Sequence, residues 1–173
     1  IINRSLHFSE LSHGAFDITF ASVGYRYDYR NRAAPSEQVI EQGLASIDYR
    51  HIKLNQNKLY FDDAGVRIDL GGIAKGYAVD QAIEIARQCG IKEAMVSAGG
   101  DSKILGNKRG RPWVIGIQHP RKKTKLALRL PLSDTAISTS GDYERFFIRN
   151  GQRIHHIINP ATGKSAMTAW SAT

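Results

Sequence analysis

A pair of glycines followed by a lysine is the part of this sequence best suited to hold a ligand. Gly71-Gly72 lies between an apolar segment ending at Leu70 and a helical pattern beginning near Ile73, and Lys75 falls in the first helical turn. Free amides at a helix N-terminus favour anions, and glycine lets a ligand approach the main chain closely. The segment predicts a phosphorylated ligand, with an ordinary strand-to-helix turn as the alternative. Its spacing matches neither G-x-x-x-x-G-K-[ST] nor G-x-G-x-x-G, so Walker-type NTPases and Rossmann dehydrogenases are disfavoured.

Two adjacent histidines, His155 and His156, are the second candidate for chemistry. Neighbouring side chains on a strand point to opposite faces, so the two rings cannot easily chelate one metal ion together. Histidine is the side chain best placed to exchange a proton near neutral pH, and the Asn-Pro-Ala-Thr-Gly turn at residues 159–163 would close the edge of a cleft. We expect one of the two rings to face a site. The alternative is a surface histidine beside a half-buried one.

Two further glycine turns carry weaker signals for ligand binding. Ser97-Ala98-Gly99-Gly100-Asp101 ends an apolar strand, and Thr139-Ser140-Gly141-Asp142 offers hydroxyl donors suited to phosphate or ribose. Plain tight turns explain both motifs as well. Asp17, inside the apolar run of residues 15–20, is a candidate for a polar contact.

The elements that must position these residues follow an order typical of an α+β fold rather than a doubly wound sheet. Apolar periodicity predicts a short helix ending before Gly14, a helix opened by Pro35-Ser36-Glu37, and a core helix from Ile73 to Gln88 after the Gly-Gly turn. Three short alternating segments within residues 50–70 predict an antiparallel meander. The other predicted strands are 93–98, 102–105, 113–118, 126–132, 136–140 and a hairpin over 143–158 that turns on Asn150-Gly151.

Composition limits the class of protein. The chain has 173 residues, 42% of them hydrophobic, which predicts one domain over residues 1–173 and no membrane span. The formal net charge is +8, but much of the excess lies in two local clusters, Lys108-Arg109-Gly110-Arg111 and Arg121-Lys122-Lys123. Neither cluster is interleaved with aromatic residues or set along a helix, so they predict solvated loops rather than nucleic-acid binding. The sequence opens at Ile1 and stops at Thr173 within an apparent strand, so we expect it to be trimmed at both ends.

Five motifs occur in a fixed order between Gly14 and Gly163. They are Gly14-Ala15-Phe16-Asp17, residues 69–80 (Asp-Leu-Gly-Gly-Ile-Ala-Lys-Gly-Tyr-Ala-Val-Asp), Ser97-Ala98-Gly99-Gly100-Asp101, residues 139–145 (Thr-Ser-Gly-Asp-Tyr-Glu-Arg) and residues 156–163 (His-Ile-Ile-Asn-Pro-Ala-Thr-Gly). Together they resemble the ApbE family of FAD:protein FMN transferases. The resemblance implies an α+β, T-fold-related domain with antiparallel sheets. It also implies an enzyme that binds FAD with Mg²⁺, cleaves its pyrophosphate and attaches FMN to a threonine or serine hydroxyl of a partner flavoprotein.

The resemblance also assigns roles to single residues. It makes His156 the base that takes the proton from the acceptor hydroxyl, and it makes the main-chain carbonyl of Gly72 a magnesium ligand. The residues that it places on FAD or its flavin are Ala15, Phe16, Asp17, Asp69, Lys75 and Ile157.

Two departures from the family pattern leave alternatives open. The family's other metal ligands, an aspartate and a threonine, would lie beyond Thr173. Typical family members contain a Val-Gly-Pro-Leu and Trp-containing stretch where this chain has residues 20–30 (Phe-Ala-Ser-Val-Gly-Tyr-Arg-Tyr-Asp-Tyr-Arg). This difference leaves the choice of substrate or partner open. The alternatives are a related activity, the hydrolysis of FAD to FMN and AMP, and a non-catalytic flavin-binding module.

The resemblance also implies a location. It implies the periplasm or the outer face of the cytoplasmic membrane, with contact to the membrane only through a lipid anchor outside this sequence.

Overall fold

The computed structural model describes all residues from Ile1 to Thr173 and contains helices and antiparallel strands. The helices are α1 (Ile2–Leu11), α2 (Ala21–Gly24), α3 (Glu37–Leu44) and α4 (Ala74–Gln88). The strands are β1 (Ile52–Asn55), β2 (Lys58–Phe61), β3 (Ala94–Ala98), β4 (Asp101–Leu105), β5 (Trp113–Gln118), β6 (Leu126–Leu132), β7 (Ala136–Ser138), β8 (Ser140–Gly141), β9 (Phe146–Arg149), β10 (Gln152–His155), β11 (Ile158–Asn159), β12 (Lys164–Ser165) and β13 (Ser171–Ala172). The predicted α+β class is confirmed.

The chain divides into two units of internal contacts. The first unit comprises Ile1–Gly72 and Glu144–Thr168, and the second comprises Ile73–Tyr143 and Ala169–Thr173. Each unit has its own buried apolar residues. Those of the first unit are Ile18, Ala21, Val23, Ile40, Ile52, Val66, Phe147 and Ile158, and those of the second are Val79, Ile83, Ile104, Leu105 and Ile117. The prediction that residues 1–173 form a single domain stays a prediction.

The first unit begins with helices whose ends follow from local chemistry. α1 is followed by Gly14, whose φ of 82° is a left-handed conformation that glycine adopts without strain. α3 begins after Ser36, whose hydroxyl accepts a hydrogen bond from the Val39 amide at 3.4 Å, as an N-cap does. The predicted helix opened by Pro35-Ser36-Glu37 is therefore confirmed.

The predicted meander of residues 50–70 is only partly present. β1 and β2 pair antiparallel around Gln56 and Asn57, which have φ values of 47° and 66°. The third predicted strand, residues 66–70, was wrong because these residues form no strand. Their main chain pairs with an earlier part of the chain instead, since the Asp69 amide donates to the Ile18 carbonyl at 2.9 Å.

The first unit also contains the hairpin that carries the histidines. β9 and β10 pair antiparallel, and Asn150 and Gly151 between them have φ values of 49° and 77°. Positive φ at both central residues is the signature of a two-residue type I′ turn, so the predicted hairpin is confirmed. β11 and β12 form a second antiparallel pair directly after it.

In the second unit, α4 packs against β3 and β4 of a three-stranded antiparallel sheet in the order β3-β4-β7. α4 ends where Gly90 adopts a φ of 79° and the Ile91 amide donates to the Ala86 carbonyl at 3.0 Å. This is the Schellman arrangement that a glycine after a helix favours. The predicted core helix after the Gly-Gly turn is therefore confirmed, with Val79 and Ile83 buried. β5–β6 and β8–β13 are two-stranded antiparallel pairs in the same unit.

Candidate functional site

The Gly-Gly segment begins with a turn built by Asp69. One carboxylate oxygen of Asp69 accepts a hydrogen bond from the Gly71 amide at 2.6 Å, which is an Asx-type turn. A Cβ added to Gly71 would lie 2.8 Å from the same oxygen, so a larger residue would displace it. Asp69 thus folds the chain tightly just before Gly72, where the first unit passes into the second.

Phe16 lies directly against Gly72. A Cβ on Gly72 would lie 3.2 Å from Phe16 Cε2, which is closer than most side-chain contacts. Phe16 is held by its own amide, which donates to Ser12 Oγ at 2.9 Å, and by an edge-to-face contact with Phe8 at 6.4 Å between ring centres. Ala15 beside it is exposed. The structure therefore places the predicted flavin residue Phe16 against Gly72, whose carbonyl is the predicted metal ligand.

Asp17 is buried and its carboxylate is fully engaged within the protein. It is 5% exposed. Oδ1 accepts from the Thr19 amide at 2.8 Å and from the Thr19 hydroxyl at 2.6 Å, and Oδ2 accepts from the Tyr49 amide at 2.8 Å. The expected polar contact of Asp17 is present, and these bonds fix the main chain next to Phe16. Direct contact of Asp17 with a flavin stays a prediction.

In the second unit, Lys75 reaches the second glycine pair. Its Nζ donates to the Gly99 carbonyl at 2.9 Å and lies 3.5 Å from Asp101 Oδ2, while 47% of its side chain remains exposed. Asp101 in turn accepts a hydrogen bond from the Ser138 hydroxyl, and the Thr139 amide donates to the Gly100 carbonyl at 3.1 Å. The Gly-Gly-Lys segment and the two weaker glycine turns therefore form one polar cluster. It contains an exposed ammonium group, backbone turns without bulky side chains and hydroxyl donors.

Arg121 is a residue that sequence reasoning misread. We expected it to be a solvated loop charge, but its guanidinium binds the buried Asp142 carboxylate with two hydrogen bonds of 2.6 and 2.7 Å. It also stacks over the Trp170 ring, 4.5 Å from the ring centre. The aspartate of the Thr-Ser-Gly-Asp motif is thus a structural anchor within the second unit. The two residues are 21 positions apart in the sequence, so no local pattern indicates that they form an ion pair.

The two histidines differ in their surroundings, as strand alternation predicts. His155 is 2% exposed; its Nε2 lies 2.6 Å from the Ala166 carbonyl, and its Nδ1 accepts from the Ile157 amide at 3.3 Å. His156 is half-buried, and its Nδ1 is shielded from solvent with no hydrogen-bond partner. His155 is therefore committed to the fold, whereas a ring nitrogen of His156 is uncommitted.

Burial also sets the charge state of His156. Removal of the ring from water is the largest effect and lowers its pKa, and interaction with the Arg145 main chain opposes it in part. The charges of Arg145 and His155 lower the pKa by smaller amounts, and the Glu144 carboxylate raises it least. A lowered pKa keeps the imidazole neutral at neutral pH, which is the form that accepts a proton. Ile157, which follows, is half-buried and tied by its carbonyl to the Ala166 amide at 2.9 Å.

The described residues do not complete a magnesium site. No group of three or more histidine, cysteine, aspartate or glutamate side chains is arranged to hold a metal ion. Magnesium requires close to six oxygen ligands in an octahedron, so the single predicted carbonyl of Gly72 is insufficient. In addition, none of the helices is both long and apolar enough to cross a bilayer.

The whole chain, residues 1–173, matches the model of the ApbE family. It belongs to that family. FAD:protein FMN transferase from Treponema pallidum is 32% identical over 187 aligned positions that cover 97% of this chain and 52% of the relative. The corresponding enzyme from Vibrio cholerae is 31% identical over 95% of this chain and 51% of its own length.

Solved structures agree with the family assignment. The crystal structure of the ApbE protein from Thermotoga maritima superimposes with a TM-score of 0.89 and 41% identity, covering 98% of this chain and 57% of that one. The apo flavinyl transferase ApbE from Pseudomonas stutzeri has a TM-score of 0.81 and 29% identity, covering 95% and 52%. The ApbE-like fold is thus confirmed. The chain spans about half the length of these relatives.

Proposed function

We propose that the protein transfers the FMN moiety of FAD to a threonine or serine hydroxyl of a partner protein, with His156 as the general base. In this reaction the hydroxyl oxygen attacks the phosphorus of the FMN half of FAD. The new P–O bond replaces the bond to the AMP phosphate, AMP leaves, and the hydroxyl proton passes to the imidazole. The names of the similar proteins support the donor and the group transferred.

The observation that carries the proposal is the state of His156. A hydroxyl is a weak nucleophile at its own pKa and requires a base within hydrogen-bond reach. His156 offers a neutral ring with an unpartnered nitrogen, while His155 beside it has both nitrogens engaged. The geometry therefore favours His156 as the proton acceptor, in agreement with the family resemblance.

The other residues would bind the nucleotide. Phe16 and Ala15 offer an aromatic and an apolar surface for the flavin, and Asp69 shapes the turn at Gly71. The ammonium group of Lys75 can pair with the pyrophosphate, because 47% of its side chain is exposed and an anionic phosphate attracts it more strongly than the neutral Gly99 carbonyl that it now contacts.

Magnesium belongs to the proposal through the resemblance, with the Gly72 carbonyl as one ligand; when bound, the ion would neutralise charge on the pyrophosphate. The extracytoplasmic location, and membrane contact only through a lipid anchor, are likewise proposals. The assignment of His156 as the base depends neither on the magnesium ion nor on the location.

The test uses the full-length protein with FAD, Mg²⁺ and an apo-flavoprotein that the Vibrio cholerae flavin transferase modifies. We expect covalent flavin fluorescence on the acceptor band of a denaturing gel, together with one AMP per flavin attached. An acceptor whose target threonine is replaced by valine is the matched control. Release of FMN and AMP without labelled acceptor would instead support the FAD hydrolase, and FAD binding without either product would support a flavin-binding module.

A further inference from the structure

The segment that departs from the family pattern, residues 20–30, runs from α2 into a closed loop between Asp28 and Ala33 in the first unit. The Asp28 and Ala33 main chains exchange two hydrogen bonds of 2.9 Å. The Asp28 carboxylate also accepts from the amides of Arg30 and Asn31 at 3.0 and 2.9 Å. The loop is therefore braced internally, and the side chains that precede Arg30 are presented on a fixed frame.

Two tyrosines of the departing segment, at the start of this loop, hold the histidine segment. The rings of Tyr27 and Tyr29 are stacked, with centres 6.0 Å apart and planes 7° from parallel, and both are half-buried. The Tyr29 hydroxyl donates to the His155 carbonyl at 3.2 Å, and the Tyr27 hydroxyl donates to the Gly163 carbonyl at 2.9 Å. The two bonds therefore hold the histidine segment near its start and at its end.

The bond from Tyr29 acts on the peptide group that joins the two histidines. The His155 carbonyl accepts a second hydrogen bond, from Ser165 Oγ at 2.7 Å, and the amide of the same peptide group, which belongs to His156, donates to the Arg145 carbonyl at 3.2 Å. Because a peptide group is planar, these three bonds fix its orientation and with it the direction of the His156 side chain. Burial raises the pKa of the Tyr29 phenol, so it remains a donor throughout the neutral range.

We propose that Tyr29 is a positioning residue for the His156 base, acting through the His155 carbonyl. The proposal rests on the proposed function, since it gives His156 its catalytic role. Misplacement of a reacting group by about 1 Å can lower a rate by about a hundredfold, so a hydroxyl that orients the base affects kcat more than FAD binding. Tyr27 stabilises the far end of the same segment.

The experiment compares Tyr29→Phe with Tyr25→Phe in the full-length protein. Both substitutions remove one phenol hydroxyl that lies 3.2 Å from a carbonyl oxygen, but Tyr25 bonds to Ile68 rather than to the histidine segment. For Tyr29→Phe we expect kcat for FMN transfer about tenfold below wild type, with KM for FAD within twofold. For Tyr25→Phe we expect an unchanged kcat.

A second measurement reports on the ring itself. In the NMR titration of His156, with the ring signal assigned by its loss in His156→Ala, we expect Tyr29→Phe to raise the pKa toward the ordinary histidine value because a loosened peptide group admits water. The charged and titratable groups acting on the ring, Arg145, Glu144 and His155, are unchanged in this variant.

The proposal is overturned if Tyr29→Phe matches Tyr25→Phe in both kcat and the His156 titration. If no protein in the series transfers FMN, the proposed function fails, and the titration still decides whether Tyr29 orients the ring. If circular dichroism shows that Tyr29→Phe is unfolded, Ser165→Ala takes its place, because it removes the other hydroxyl from the same carbonyl. The same loss of kcat and the same titration shift are then required.

Discussion

Replacing His155 and His156 separately by alanine should produce opposite defects. His155 is 2% exposed and engages the Ala166 carbonyl and the Ile157 amide, whereas His156 is half-buried with an unpartnered Nδ1. The first ring therefore contributes to stability, and the second is the ring that we propose as the base. Two neighbouring residues of the same type provide a matched pair for this comparison.

The expected loss of stability for His155→Ala follows from the bonds it breaks. Each buried polar group left unsatisfied costs about 1 to 3 kcal/mol, and this substitution leaves one carbonyl and one amide without their partner. The central value for the two groups together is about 4 kcal/mol, to which the vacated ring volume adds. For a chain of this size about 1 kcal/mol shifts Tm by roughly 2 to 4 °C, so Tm should fall by roughly 8 to 16 °C. His156→Ala breaks no hydrogen bond of its Nδ1 and should shift Tm far less.

The activity defect should fall on the other residue. Loss of a general base lowers the rate about 10²- to 10⁴-fold, so His156→Ala should nearly abolish FMN transfer while leaving FAD affinity unchanged. His155→Ala should retain transfer per folded molecule well above that of His156→Ala. Transfer is measured from covalent flavin fluorescence, FAD affinity from calorimetry, and unfolding from circular dichroism.

The pH dependence provides a further check on the base. Burial lowers the pKa of His156, and the reaction needs the neutral ring. The rate should therefore hold as the pH falls through the ordinary histidine value of about 6.5 and decline only at lower pH. The pKa of His156 is lower in the folded than in the unfolded protein. The folded state is therefore most stable above the unfolded-state pKa, and this contribution to the free energy of unfolding is lost as the pH falls through the lowered folded-state pKa. Equal transfer rates in the two alanine variants, or a dead His155→Ala protein with normal Tm, would refute the assignment.

Three other predictions concern binding and stability. Lys75→Met should weaken FAD binding by about 1 to 3 kcal/mol in calorimetry on the full-length protein, with Lys123→Met as the exposed-lysine control, and equal affinities would contradict a pyrophosphate contact. The 173-residue chain should bind Mg²⁺ weakly, because Gly72 supplies one carbonyl and no acidic cluster surrounds it; tight stoichiometric binding would show that the ligands are misassigned. Arg121→Ala should lower the free energy of unfolding by about 3 kcal/mol, because it leaves the buried Asp142 carboxylate without its bidentate partner; an unchanged urea midpoint would contradict this.

The parts of the fold that could be predicted from sequence are those that depend on local chemistry. The β9–β10 hairpin follows from Asn150-Gly151, whose residues adopt positive φ readily. The core helix α4 follows from its apolar spacing and from Gly90, which ends it. Residues 66–70 alternate like a strand, but their main chain pairs with Ile18 and Ser22, about 45 or more positions earlier. A local pattern contains no information on such partners.

The same distinction applies to the candidate site. The glycine pairs and Lys75 are visible in the sequence, but the contact of Lys75 with Gly99 joins residues 24 positions apart and required the structure. Arg121 was misread for the same reason, since its partner Asp142 lies 21 positions away. The family resemblance identified the right family because it compares the motifs in order. It did not reveal which of their polar groups are already engaged within the protein.

Which histidine faces the reaction is the clearest case. Strand alternation requires that His155 and His156 point to opposite faces, but it does not say which face carries the site. The hydrogen bonds support the prediction of His156: both ring nitrogens of His155 are engaged inside the protein, whereas Nδ1 of His156 has no partner. The hydroxyl of Tyr29 adds to this argument, because it fixes the peptide group between the two histidines rather than either ring. A segment that departs from the family pattern therefore contributes, together with Ser165 and Arg145, to holding the peptide group next to the proposed base.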